Sequence, residues 1–399
     1  MANHDHFFRE KKPAAVVKHG VLGHYVKLFT TLLGSKSAQV WVIDAFAGPG
    51  EYEGDDETPA EPGSPKILCD VANSVTNTDV HGVYIEPSAD FVAQLRALVQ
   101  ANGKPGHHTV LHGEAEQHLK NAVDAAGTSP LLIFLDPFGA AVSMDSLVAS
   151  FQGRPKWTRT EILLNFNVEA IWRIGGYLTS AHPGLAESNA LTIVDNFVGG
   201  DWWRKVFIDI RNAGGAPADA ASAVADEFNR RLKQRLGLSA FTVPISRRPG
   251  QKPIFLLTLY FTNDAAAWAF AESSSSANAK LRGHQKKVAD ADLPTDTLFS
   301  AEMLLDASDA EFEKRERDLE TEWATIIAAN IERLLETNPE IVLKTAVFDL
   351  YGSALGQARE KHIRSAWDAL AKKGLAANRD KSIKRLRDAV IRRRSHSSG

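Results

Sequence analysis

Val40-Trp41-Val42-Ile43-Asp44-Ala45-Phe46-Ala47-Gly48-Pro49-Gly50 is an apolar run that ends in one acid and breaks into a turn with two glycines. Near-continuous apolarity reads as a strand buried on both faces, as in a parallel sheet. Glycine takes up positive φ readily and lets backbone approach a ligand closely. At the carboxyl edge of a parallel sheet, such a turn is where a nucleotide-type cofactor settles. Gly-x-Gly alone fits a bare strand-to-loop turn equally well, and no Gly-Lys-Ser/Thr follows, so this is not a P-loop.

Working outward, Val80–Glu86, Leu131–Asp136 and Glu161–Phe166 read as further strands. Between the strands lie Val16–Leu33, Phe91–Gln100 and Ala115–Ala126, with apolar residues at helical spacing. This alternation predicts a parallel sheet with helices on both sides. Asp55–Pro65 reads as an acidic surface loop. Residues 168–240 read as a mostly helical insertion containing Asp201-Trp202-Trp203-Arg204. Phe241–Ile245 and Ile254–Thr262 read as a closing strand pair joined by the turn Arg247-Arg248-Pro249-Gly250.

Two more of these strands end in an acid. Glu86 closes Val83-Tyr84-Ile85-Glu86, where an acid accepts hydrogen bonds from ribose hydroxyls in dinucleotide-type folds. It lies 36 residues after Gly50, beyond the usual spacing of about 20, and the acidic loop accounts for the surplus. Asp136 opens Asp136-Pro137-Phe138-Gly139. There a carboxylate and a backbone carbonyl can accept hydrogen bonds from an exocyclic amine, while an aromatic stacks on a base brought out of its helix. Glu114, after the short run Thr109–Leu111, could meet an adenine amine; an acid favoured at a helix N-terminus explains it equally well.

The chain has 399 residues, 44% of them apolar and 24% charged, enough for two domains with sizeable cores. A single cysteine, Cys69, excludes a disulfide framework and any multi-cysteine metal or iron–sulfur site. It falls in a predicted helix, Ser64–Val71, and reads as a buried structural thiol. Neither His4-Asp5-His6 nor His107-His108 has partners spaced for a metal, so no metal is expected. No apolar run approaches the roughly 18 residues of a membrane helix, and the polar start lacks a signal-peptide core; a cytoplasmic protein is expected.

Asp-x-Phe-Ala-Gly-x-Gly, a second-strand Glu and Asp-Pro-Phe together resemble a class I S-adenosylmethionine-dependent methyltransferase. The resemblance extends to Lys18-His19, Asp44–Glu53 with Gly54, Glu61-Pro62-Gly63-Ser64-Pro65, Leu164-Asn165-Phe166 with Ile171-Trp172-Arg173, and Tyr260-Phe261-Thr262-Asn263. As a set these are similar to the three-Cys-motif partner protein (TcmP) family over residues 14–275. The resemblance implies a Rossmann-like methyltransferase sheet with S-adenosylmethionine as cofactor and, by the family's name, a three-Cys-motif protein partner. It implies that Asp44, Phe46, Ala47, Gly48, Gly50, Glu86 and Glu114 hold the cofactor and that Asp136, Pro137 and Phe138 face a substrate amine. The chain departs from the Asp-Pro-Pro-Tyr pattern by placing Phe138 at the second proline and Gly139 at the aromatic.

The C-terminal part differs in charge. Residues 344–399 hold fourteen Lys/Arg against five Asp/Glu, a surplus of nine, whereas the whole chain carries −3. A basic segment on an acidic body points to a polyanionic partner. Val347–Tyr351, Arg359–Leu370 and a following basic stretch resemble a winged-helix module, with Phe348 and Trp367 as core anchors and Gly374 as a helix cap. The expected division is a methyltransferase-like domain at 14–275, a helical linker at 276–340 that begins near Glu272–Ala277, and a nucleic-acid-binding module at 341–399. Three functions follow: a nucleic-acid methyltransferase, a non-catalytic nucleic-acid-binding scaffold, or a metal-dependent nuclease using Asp44, Glu86 and Asp136.

Overall fold

A computed structural model describes residues 13–52, 61–137, 142–155, 157–180, 184–246, 251–291 and 301–394. The chain forms two compact units, Met1–Asn263 and Asp264–Gly399.

The first unit is a seven-stranded sheet between two layers of helices. Helix α1 (Pro13–Gly34) leads into β1 (Gln39–Asp44), α2 (Ser64–Ser74), β2 (Asp79–Glu86), α3 (Ala89–Asn102) and β3 (His108–His112). Then come α4 (Ala115–Ala125), β4 (Leu131–Leu135), α5 (Met144–Ser150) and β5 (Thr160–Asn167). The insertion α6 (Val168–Gly175), α7 (Leu185–Val198), α8 (Trp202–Asn212) and α9 (Pro217–Leu236) precedes β6 (Ser239–Ile245) and β7 (Phe255–Phe261). The spatial order is β3-β2-β1-β4-β5-β7-β6. The first five strands are parallel, and β7 is antiparallel to both neighbours. The sheet with helices on both faces is the one expected from the alternation, its Rossmann-like methyltransferase form is the one the resemblance implied, and the closing strands pair as read.

Strand alternation decides which face each residue serves. Ile43, Val83, Ile133, Leu135, Leu164 and Phe166 bury against α4, α5 and the insertion. There Phe166, Phe197 and Phe228 stack at centroid distances of 5.1–5.5 Å. Each such pair adds about 0.5–1.5 kcal/mol beyond its buried area and ties the insertion to β5. The alternate residues, among them Val42, Asp44, Tyr84, Phe134, Leu163 and Asn165, belong to the opposite face, where α1, α2 and α3 pack. Long-range polar contacts hold that layer. Tyr25 of α1 donates to buried Glu161 at 2.5 Å, and the Cys69 thiol of α2 meets the Tyr84 hydroxyl at 3.4 Å.

In the second unit, α10 (Asp264–Ala291) and α11 (Ala301–Thr337) precede β8 (Glu340–Val342), α12 (Val347–Tyr351), α13 (Glu360–Lys372) and β9 (Val390–Arg392). Strands β8 and β9 pair antiparallel. The unit begins at Asp264, ahead of the 275 expected from sequence, and its first two helices are part of its packing. Glu272–Ala277 looks like a linker in composition, yet it lies within α10, where Ser273, Ser274 and Ser275 are buried. The Ser275 hydroxyl donates to the Gln357 carbonyl. Small side chains here permit close helix packing. Trp367 is buried as an anchor, whereas Phe348 is 39% exposed. Gly374 closes α13 at φ +76°.

Candidate active site

Asp44 ends the central strand, opposite Tyr84 of β2 and Phe134 of β4. Glu86 and Asp136 each lie two residues beyond those partners. The three carboxylates therefore stand at the carboxyl ends of three adjacent parallel strands. Between β1 and β4 the order of connection reverses, which opens a crevice at that edge. The chain leaving β1 splays across it: Ala45 N–H donates to the Phe134 carbonyl at 3.1 Å and Ala47 N–H to the Ile85 carbonyl at 3.0 Å.

The glycines are required by geometry. Gly48 has φ +64° and Gly50 φ +98°, and a Cβ on Gly50 would lie 2.8 Å from Leu98 Cδ1. The turn delivers the Gly48 N–H to Glu86 Oε2 at 2.9 Å, while Ser88 N–H donates to Oε1 at 2.8 Å. Glu86 is thus clamped by two amides, one on each oxygen. On the far side of β2, Gly113 N–H donates to the Glu86 carbonyl at 3.1 Å, placing Glu114 next along the same rim. Glu114 is exposed, and its own N–H is taken by Gln117 Oε1 at 3.2 Å.

Asp44 is fully buried, and burial pushes its carboxyl up to about 7. The Ser64 hydroxyl and the Phe46 amide oppose that rise, and the charges of Asp136 and Glu86 add to it. Oδ1 accepts from Phe46 N–H at 3.2 Å, whereas Oδ2 is buried without a hydrogen-bond partner among the described residues. A buried acceptor left open is costly unless something fills it. A ligand cation or N–H fits that description.

Asp136 is held from two elements. Lys18 of α1 donates to Oδ1 at 2.9 Å and to Oδ2 at 2.7 Å, and Asn165 Nδ2 of β5 donates to Oδ1 at 2.7 Å. Oδ2 therefore keeps the less crowded lone pairs. The Lys18 ammonium also lies 4.9 Å from the centre of the Phe255 ring. Nearby, Tyr52 is 6% exposed and its hydroxyl is pushed well up by burial, then by Asp136 and Glu61. Phe46 and Pro137 line a small apolar cavity with Leu135, Met144, Phe197 and Phe228. Phe138 lies outside the described residues, as do Gly139, Glu53, Gly54 and the 247–250 turn.

Sequence reasoning quoted Lys18, Asn165 and Ser64 only among the motifs that carry the resemblance and gave them no role in the site. Lys18 had a usable signal, since it occupies an apolar stripe with Val21, Leu22 and Tyr25 at spacings of three, four and seven. A lysine there is buried only if paired. Cys69 is a buried thiol, pushed up by burial, as expected of a structural residue. Among the described residues, no group of three His, Cys, Asp or Glu side chains is placed to hold a metal ion. No helix among them is long and apolar enough to cross a membrane.

No family model matches the chain, and no curated protein matches it in sequence. Solved structures of similar fold include a DUF519 protein from Legionella pneumophila (12% identity, 63% of this chain and 86% of that one, TM-score 0.38). Another is the O-methyltransferase TomG of Streptomyces achromogenes in complex with SAM (16% identity, 60% and 78%, TM-score 0.32). A third is an O-methyltransferase of Bacillus cereus in complex with SAH (12% identity, 60% and 80%, TM-score 0.33).

Proposed function

We propose that the first unit binds S-adenosylmethionine at this rim and methylates an amine or ring nitrogen of a nucleic acid. One observation supports this above the others: three carboxylates end three adjacent parallel strands, with the glycine turn's amide already on Glu86. The open acceptor of Asp44 matches the cofactor's amino group, and Glu86 matches its ribose. When bound, the cofactor supplies an electrophilic methyl group on a sulfonium. On this reading Glu114, exposed at the rim, takes the adenine amine. Phe46, Ala47 and Gly50 form the floor, and Asp136 with the Pro137 backbone accepts the N–H groups of the target. A carboxylate beside that nitrogen favours the positive charge that grows on it during transfer. The protein's contribution is positioning.

The nucleic-acid substrate rests on the amine-accepting Asp136-Pro137 pair and on the basic surplus of the second unit. A three-Cys-motif partner rests on sequence resemblance. Calorimetry with S-adenosylhomocysteine tests the first step, and transfer of labelled methyl to total DNA and RNA tests the second. Absence of binding at millimolar ligand would end the enzyme reading. A non-catalytic scaffold has one observation in its favour: Lys18 occupies both oxygens of Asp136. Cofactor binding without transfer to either pool would favour it.

A further inference from the structure

In the second unit, the cations from Arg359 onward differ in their partners. Four on or flanking α13 are neutralised. Arg359 pairs with Glu272 at 2.8 Å, Lys361 with Glu320, Arg364 with Glu360 at 3.4 Å and Arg379 with Asp368 at 3.1 Å. Arg387 contributes to the charge around Glu360. A second set makes no ion pair among the described residues: Lys372 and Lys373 at the end of α13, Lys381, Lys384 and Arg385 beyond them, and Arg394. All six are exposed.

Four of these six lie on one hairpin, and Lys372 and Lys373 stand where the chain leaves α13 to enter it. Ala376 bridges Arg393, Ala377 N–H donates to the Arg392 carbonyl at 2.8 Å, and Arg394 N–H donates to Leu375 at 3.3 Å. The stem is therefore closed with Lys372, Lys373 and Arg394 at its base. The tip is shaped by its own residues. Asp380 accepts from Ser382 N–H at 2.9 Å and from the Ser382 hydroxyl at 2.7 Å, and buried Leu386 anchors the return. Lys381, Lys384 and Arg385 lie between those two fixed points and are left in solvent, with the acids Asp380 and Asp388 beside them.

We propose that this hairpin, rather than the outer face of α13, is the surface that holds nucleic acid, and that it grips the phosphates of a duplex without reading sequence. Unpaired cations can release counterions on binding, whereas neutralised ones gain little. Residues 378–388 contain no aromatic side chain, so the tip offers no platform for unstacked bases. Ahead of Lys372, the exposed positions of α13 are Lys361, which is paired with Glu320, and Ser365 and Ala369, which carry little base-reading capacity. The proposal deepens the nucleic-acid part of the functional reading and does not depend on methyl transfer.

The test uses the full chain without cofactor and two unrelated duplexes of about 20 base pairs, followed by fluorescence anisotropy across a salt series. Six phosphate contacts set a ceiling of about −5 on the slope of log K against log salt. The triple variant Lys381→Glu, Lys384→Glu, Arg385→Glu is expected to weaken binding at least roughly tenfold and to reduce that slope by about 3. Lys361→Gln with Arg364→Gln is expected to leave both unchanged, and both duplexes should bind alike. If the triple variant melts early, Lys384→Gln with Arg385→Gln is the milder substitute, with a slope change of about 2. The proposal is overturned if the hairpin variants bind as wild type, or if only the α13 pair weakens binding. It also fails if single strands, polyglutamate or anionic vesicles compete as well as duplex at equal charge.

Discussion

Asparagine in place of Asp44 removes a charge that the folded chain holds at a cost. Burial raises this carboxyl from 3.8 to about 7, a shift of roughly three units at 1.36 kcal/mol each, or about 4 kcal/mol. Between pH 4 and 7 the folded state keeps a proton that the unfolded chain has released. Stability from this group therefore falls as pH rises through that window and levels off above it. Urea unfolding of both proteins at pH 4.5 and 8 should show Asp44→Asn gaining on wild type by up to about 4 kcal/mol at the higher pH. Glu161, also raised to about 7 by burial, bends both profiles in the same sense and cancels in the comparison. A second arm uses ligand. If the cofactor's amino group fills the open Oδ2 acceptor, wild type should release protons on binding S-adenosylhomocysteine near pH 7, read by calorimetry in buffers of differing ionisation enthalpy. The variant should not. Parallel stability profiles in the two proteins would refute the assignment of a strained charge to Asp44.

Three further outcomes are expected. Glu86→Gln sets an amide donor against the Gly48 or Ser88 N–H, and should weaken S-adenosylhomocysteine roughly 10- to 100-fold, as loss of a hydrogen bond to a charged group does; unchanged affinity by calorimetry would remove Glu86 from the site. Lys18→Met should cost about 2–3 kcal/mol by chemical denaturation, below a fully buried pair because Asp136 keeps 18% of its side-chain exposure. Adding Asp136→Asn should recover much of that loss, and simple additivity would deny the coupling. Gly50→Ala, forced to φ +98° with its Cβ against Leu98, should lose roughly 1–3 kcal/mol and most cofactor affinity; an unchanged melting temperature would contradict the turn geometry.

The sheet was legible because its strands are buried on both faces, so Val40–Asp44, Val80–Glu86 and Leu131–Leu135 carry their state in composition alone. The acids at their ends were legible for the same reason, each being the first polar residue after an apolar run. The polar contacts across the α1 layer were not. Lys18 and Asp136 are 118 positions apart, and Tyr25 and Glu161 are 136 apart. No local pattern encodes such a pairing; it appears only once parity places Asp44, Asn165 and α1 on one face. The serines of α10 misled for a physical reason. A run of small polar residues suits a solvated linker and a tightly packed helix equally, and only its neighbours decide.

The clamp on Glu86 also implies an order of events at the rim. The acid and the turn beside it are fixed to each other before any ligand arrives, so a nucleoside entering there meets a finished surface and orders little on contact. The opposite end of the crevice is different, because an N–H arriving at Asp136 would share its carboxylate with the Lys18 ammonium. One half of the cleft behaves as a mould and the other as a shared seat.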